Sequence, residues 1–381
     1  MSWRSHTGLA VRAMVRADLA AIGFLMFVLL VIALAIDLAK WLPSVQSRAA
    51  ATDTPLWQVL LPYIGFRSID IITRLLTMAC VAGGFAVTLL RHQRLEDIVI
   101  ATAGGGPTLR IAALCLSGLL LGGVQLSGEA WLRPLAVERQ VRDNLGDYGQ
   151  RYHTVDMGTQ WLADDTRALR ADLTRGATPT LQNVMIFDGI NQPTLTRVLS
   201  AHSATPSGQP GVWSLHKVTL WDGDIGVPEQ HDQLDLPLPI STASLRWFGV
   251  DAYYLPNAAA RTIAAQPNAP NTADAATALA VRKTAFFLPA IFALLGVSLA
   301  SLGARGRRLS PFRLLALAAV GYLCVVSVKV FWALGIHGTV SPLIAATVPA
   351  LCALLLAVTI QLIQSGHLRR PPTLAVPRTT S

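Results

Sequence analysis

Charge is the scarcest commodity in this 381-residue chain: Asp, Glu, Lys and Arg make up 14% of it, while 52% is hydrophobic. A soluble domain carries roughly a quarter charged residues, so an ordinary water-soluble fold is excluded. Cysteine is also sparse. The four, Cys80, Cys115, Cys324 and Cys352, all lie in apolar runs with no CxxC spacing, which removes both a disulfide framework and a zinc site. No G-x-x-x-x-G-K-[ST] occurs, and the nearest glycine-rich stretch, residues 103–108, has no lysine to reach a phosphate. The eight histidines are dispersed without an HExxH. Residues 296–300 fail the G-x-S-x-G pattern at their last position. The sequence therefore predicts no catalytic residue, no metal and no cofactor.

What is present is a set of uncharged apolar runs approaching the ~20 residues that a spanning helix needs. Six spans are expected: Leu19 to Ile36, Leu75 to Leu90 (approached through Arg67, Asp70 and Arg74), Ile111 to Ser127, Thr284 to Ala304, Leu314 to about Ile336, and Ser341 to about Leu362. The first ends at Asp37 and Lys40 without a small-residue cleavage pattern and reads as an uncleaved span. The net charge of +9 sits mainly in short flanks, with no Lys/Arg–aromatic interleaving, so nucleic acid is not an expected partner. Arg4, Arg12, Arg16, Arg91, Arg94, Arg110, Arg305, Arg307, Arg308, Arg313, Arg369, Arg370 and Arg378 fall in segments that alternate correctly to share one side. By the positive-inside rule that side is cytoplasmic, with both termini.

Between the third and fourth spans lies a polar stretch large enough for a separate domain. It opens with a charged helical continuation from Gly128 to about Asn144. Strand-like segments follow at Gln182–Gly189, Thr194–Ala204 and Val212–Gly223, bounded by Asp-Gly, Ser-Gly and Pro-Gly turn signals. This pattern predicts a sandwich or jellyroll. Residues 257–280, rich in Ala, Pro, Asn and Thr, read as a linker with some helix. The organisation is then 1–127 for three spans, 128–281 for the outer β domain and its tethers, 282–368 for three more spans, and 369–381 for a tail.

A short helix near residues 94–103 separates spans two and three. Leu95, Ile98 and Val99 share a face, with Glu96 and Asp97 near its start. Spacing alone allows either an interfacial connector or a helix that docks into a cytoplasmic partner.

The ordered residues Asp97, Ile98, Val99, Ala103, Gly105 and Arg110 resemble the cytoplasmic helix of the lipopolysaccharide export permeases LptF and LptG. Further resemblances follow in order along the chain. They are Gly128-Glu129 with Pro134, Val184 to Asp188, Ala201, Ala204, Gly211 to Leu215, and Gly335 with Pro342 and Pro349. Asp97 stands where the family usually has Glu, with Glu96 before it. Ile36-Asp37-Leu38 before Lys40, and the route through Arg67 into span two, look more like LptG than LptF.

The resemblance implies six transmembrane helices with an all-β periplasmic jellyroll-like domain inserted between helices 3 and 4, in a Gram-negative inner membrane. It implies a non-catalytic permease half that pairs with a second LptF/LptG-type permease, an LptB-like ATPase dimer and an LptC-like bitopic protein. Together these would move lipopolysaccharide to a periplasmic bridge. Glu96, Asp97, Ile98, Val99, Gly105 and Arg110 would form the ATPase-docking helix. Lys40, Arg67 and Arg74, near the outer ends of spans one and two, would meet lipid phosphate or else snorkel to the interface. Lys329 lies deeper, in span five. Ile186, Leu215, Val218 and Leu220 would line the β domain for acyl chains or form ordinary core. Other readings are a mechanotransmission permease of the ABC type and a membrane-anchored receptor or scaffold.

Overall fold

The computed structural model describes residues 3–96, 107–152, 156–163, 166–174, 180–209, 211–223, 226–238, 240, 245, 247–265, 271–304 and 310–364. Ten α-helices and six strands account for most of them. Helix α1 (Trp3–Ala51) and helix α2 (Leu56–Gln93) precede α3 (Pro107–Ser127), which runs through a π-helical turn (Gly128–Leu132) into α4 (Arg133–Arg142) and α5 (Gly146–Tyr152). After the strands come a 3₁₀ turn (Ala252–Tyr254), α6 (Asn257–Ala264), α7 (Thr272–Thr284), α8 (Leu288–Gly303), α9 (Pro311–Ile336) and α10 (Pro342–Gln364).

Five of these helices are long and apolar enough to cross a membrane. Helices α7 and α8, joined at a 63° bend, bring the count to six when the bent pair is taken as one span. At 1.5 Å per residue the 49 residues of α1 extend about 74 Å, far beyond a ~30 Å hydrocarbon layer.

Helix α8 forms the centre of the bundle. Phe292, Ala293, Leu295 and Ala300 are fully buried, and they share a core with Ile22, Leu76, Cys80, Leu114 and Ala353. Small residues bring its backbone against two neighbours. A Cβ built on Gly296 would overlap the Val81 carbonyl oxygen on α2, and one on Gly118 of α3 would overlap the Ala290 backbone. In lipid, where apolar burial gives little drive for helix association, such close approach supplies the packing energy.

The inserted domain is one antiparallel sheet whose strands pair in chain order: β1 (Asp156–Ala163), β2 (Arg167–Thr174), β3 (Thr180–Asp188), β4 (Arg197–Pro206), β5 (Val212–Asp222) and β6 (Glu229–Pro237). A membrane helical protein with an inserted all-β domain is thus the architecture. The expected inserted β domain, read as a sandwich or jellyroll, runs among the described residues as a six-stranded meander, because the connections between strands are short enough to keep each strand beside the last. The sheet nevertheless curls. Arg167, at the start of β2, donates to the Pro237 carbonyl at the end of β6 at 2.9 Å. Four strand spacings would hold those strands about 19 Å apart in a flat sheet.

Two rows of cross-strand pairs fill the inner face. Leu173, Leu181, Ala204, Leu215 and Leu234 form one, and Leu162, Leu169, Ile186, Leu199 and Leu220 the other. The chain after β6 returns over this face, where the Trp213 indole donates to the Ile240 carbonyl at 2.8 Å. Ile186, Leu215 and Val218 are buried core and Leu220 packs against it.

Candidate functional site

Two polar clusters stand out in a molecule poor in charge, one at each end of the bundle. The first gathers where the helices meet the β domain. On α2, Arg67, Asp70 and Arg74 fall at i, i+3 and i+7 and so share a face. Asp70 is 1% exposed and accepts from Arg67 Nη1 at 3.1 Å, Arg74 Nε at 3.0 Å and the Tyr148 hydroxyl at 2.6 Å. Arg67 also donates from Nε to Asp37 of α1 at 2.7 Å, and Tyr63 donates to the other oxygen of Asp37 at 2.6 Å. Arg74 reaches on to the hydroxyls of Tyr148 and Tyr254.

Deeper in the same cluster, fully buried Arg133 donates to the Thr73 hydroxyl at 3.0 Å and lies 3.8 Å from the centre of the Tyr253 ring. Glu129, in the π-helical turn, accepts from Gln125 Nε2 at 2.6 Å and has Arg133 Nη2 at 3.7 Å. A π-turn within a helix is a frequent mark of a functional position. Arg282 of α7 secures the segment that carries Tyr253 and Tyr254. It donates to the carbonyls of Ala252, Tyr253 and Leu255 and to the Asn257 side chain.

Beside this network lies a cavity of about 320 Å³ lined by Arg74, Gln125, Glu129, Tyr253, Lys329 and Trp332, with Val281, Leu288, Val325 and Val328. Among the described residues, three buried polar atoms in its wall have no hydrogen-bond partner: Gln125 Oε1, Glu129 Oε2 and Trp332 Nε1. A buried polar group without a partner is costly, so this wall suits a polar guest on a mostly apolar floor.

The structure therefore brings Arg67 and Arg74 together on one carboxylate but keeps Lys40 apart. Lys40 is exposed and rests over its neighbour Trp41, 4.6 Å from the ring centre. Arg67 is engaged by two acids and is 18% exposed at its side chain, whereas the Arg74 side chain is 42% exposed and faces the cavity. Lys329, exposed on α9, lines the same cavity. Sequence spacing puts Arg67, Asp70 and Arg74 on one face of α2, and Gln125, Glu129 and Arg133 at i, i+4 and i+8 along the continuation of α3. Tyr148, Tyr253 and Tyr254 reach the cluster through contacts between distant segments and leave no local signal.

The second cluster lies at the opposite end. Asp18 and Arg91 pair at 3.0 Å, both buried, and Arg110 donates to the Thr88 hydroxyl at 3.0 Å. Glu96 ends the described part of α2's extension, with Arg94 at 3.8 Å in a solvent-exposed pair worth little. Asp97, Ile98, Val99 and Gly105 lie outside the described residues.

The family model described as lipopolysaccharide export system permease LptF/LptG matches residues 12–363, nearly the whole chain. The chain belongs to the LptF/LptG family. Its members are multi-pass permease subunits of lipopolysaccharide export. No curated protein matches this LptF/LptG permease. The match runs through the helices, the inserted sheet and both polar clusters, so neither cluster is an appendage to the shared fold.

Proposed function

We propose that this chain is one half of the membrane channel of a lipopolysaccharide exporter. A separate cytoplasmic ATPase drives it, and its β domain delivers the lipid to a periplasmic bridge. The observation that carries this reading is the pairing of family membership with a basic, partly open cavity where the β domain meets the spans. Lipid A offers phosphates above acyl chains. Arg74 and Lys329 at the cavity, with Lys40 at the end of span one, supply exposed cations at that level. Arg67, held by Asp37 and Asp70, orients the helix pair that presents them.

Energy enters from the other end through the helix near 94–103, where Glu96 and Asp97 would meet basic residues of an LptB-like ATPase dimer. The remaining partners are a second LptF/LptG-type permease and an LptC-like bitopic protein, in a Gram-negative inner membrane with both termini cytoplasmic. Ile36-Asp37-Leu38 before Lys40, with the route through Arg67 into span two, supports the LptG side of that pair. A four-span mechanotransmission permease leaves one bent pair and one full helix of this bundle unaccounted for.

Mild detergent extraction of the tagged chain from its native membrane tests the assembly. Recovery of a soluble ATPase together with a second six-span permease is expected. Glu96→Lys with Asp97→Lys should abolish ATPase recovery while leaving insertion intact, and normal recovery by that double variant would sink the docking assignment.

A further inference from the structure

Helix α1 is, with α9, the barest of the five unbroken spans among the described residues. Within its most apolar 18 residues only 11% are buried. It is nonetheless fixed at two points, each an aspartate sunk into the protein. Asp18 is 2% exposed and bonds Arg91, and Asp37 is 8% exposed and bonds Arg67, both arginines belonging to α2. Nineteen residues separate the two aspartates, about 28 Å along a helix, which matches the ~30 Å of a hydrocarbon layer. The α1–α2 pair is thus stapled by an Asp–Arg bond at each membrane face, with Ile22 and Met26 of α1 packed into the bundle core between the two staples.

The staple away from the β domain carries additional ties. Arg91 Nη2 also donates to the Met14 carbonyl at 3.2 Å, capturing the α1 backbone. Met14 and Val15 pack on Ala113 of α3. Arg110, in the first turn of α3, bonds Thr88, one turn before Arg91. The chain entering residues 97–106 and the chain leaving them therefore both anchor at the same end of α1.

We propose that Asp18 is a positioning residue that transmits displacement of the 97–106 segment into α1, so that α1 and α2 move as one lever. This inference rests on the ATPase-docking reading of that segment. The physical reason is the cost of separation. A buried carboxylate parted from its guanidinium keeps its desolvation penalty and loses its compensation, so a shift of α2 carries Asp18 along with it. Because α1 is one continuous helix, the same shift arrives at Asp37, whose bond to Arg67 joins the network beside the cavity.

The test uses the intact complex reconstituted in proteoliposomes containing lipopolysaccharide, reading ATP hydrolysis and lipid extracted in parallel. Asp18→Asn should retain the ATPase and its hydrolysis, while lipid extracted per ATP falls roughly tenfold, within the usual range of coupling between sites. Asp18→Arg combined with Arg91→Asp should recover the ratio. An unchanged ratio in Asp18→Asn overturns the proposal, as does a parallel loss of hydrolysis and extraction in assembled complex. Should Asp18→Asn assemble poorly, Arg91→Lys decides the matter, since it keeps the charge but lacks the guanidinium whose Nη2 reaches both Asp18 and the Met14 carbonyl. A lowered ratio in its assembled fraction supports the lever, and a normal ratio overturns it. Failure of the unmodified chain to retain an ATPase would instead refute the docking reading, which copurification measures separately.

Discussion

At the residue scale the decisive question is which member of each ion pair has water to fall back on. Asp70 has none: it is 1% exposed and serves Arg67, Arg74 and Tyr148, with Arg133 Nε 3.5 Å away. Asp70→Asn would leave three guanidinium groups converging on a neutral amide, and removing one partner of a buried pair costs about 3–5 kcal/mol. The half-exposed Arg74 can hydrate its freed charge, so Arg74→Gln should cost less. Thermal unfolding in detergent should rank the two in that order, and an equal or reversed ranking would show that Asp70 is not the hub. The Lys329→Ala variant separates support from function. Lys329 makes no ion pair among the described residues, so its removal should leave the melting temperature near the parent value while lipopolysaccharide retained by the purified protein falls. Only part of this cluster was legible in the sequence. Asp70 and Arg74 stand one helical turn apart and announce their pairing, whereas Asp37 and Arg67 are thirty positions apart and Tyr148 and Tyr254 more than a hundred. Such contacts exist only after the helices have packed.

At the scale of elements, the strands show how far local pattern reaches. Strands β3, β4 and β5 carry dense β-branched and aromatic residues between clear turn signals and were readable. Strand β6, Glu229–Pro237, is almost wholly exposed and polar, and β1 is the opposite edge, so neither needs the apolar alternation that marks an inner strand. In β2 the buried Leu169, Ala171 and Leu173 do alternate, but alanine and arginine dilute the signal. The fourth crossing was read as one run from Thr284 because Phe286, Phe287 and Leu288 continue the apolar pattern through the bend, leaving Pro289 as the sole local hint. The register of the inner strands carries its own prediction. Burial pushes the Asp188 carboxyl up, but hydrogen bonds from Arg167 and Arg197 outweigh it and hold the group below the usual carboxylate value. A depressed folded value means that folding favours the ionised form. The stabilisation is present above about pH 4, the ordinary aspartate value, and is lost as pH falls through the lower folded one. Protection of the β2–β4 amides, taken relative to the intrinsic exchange rate at each pH, should fall in that acid window, and Asp188→Asn should remove most of that fall while destabilising the strands at neutral pH. Identical acid profiles for the two proteins would contradict this.

For the whole molecule, the arginine count proposes an orientation and the packing shows which segments share an end of the bundle. By the positive-inside rule the segments containing Arg91, Arg94 and Arg110 would be cytoplasmic. Packing says which loops must lie opposite. Gly338, in the turn between α9 and α10, has the Ala273 side chain of α7 within contact distance, and Gly335 lies against Thr277. Helix α7 is also the element whose Arg282 clasps the chain leaving the β domain. The α9–α10 turn and the β domain therefore share one end of the bundle, and Asp18, Arg91 and Arg110 occupy the other. That turn, residues 337–340, contains no Lys or Arg, as a segment on the far side of the membrane should. The prediction follows for single cysteines in a chain whose Cys80, Cys115, Cys324 and Cys352 have been replaced by serine or alanine. In intact spheroplasts a membrane-impermeant maleimide should label Gln209→Cys in the β domain and Thr339→Cys in the α9–α10 turn, both exposed positions. Gln93→Cys, exposed at the end of α2, should react only after permeabilisation. Labelling of Gln93→Cys ahead of the other two would invert the molecule and place the β domain in the cytoplasm. Labelling of Gln209→Cys without Thr339→Cys would instead break the link between α7 and the α9–α10 turn on which the six-crossing count depends.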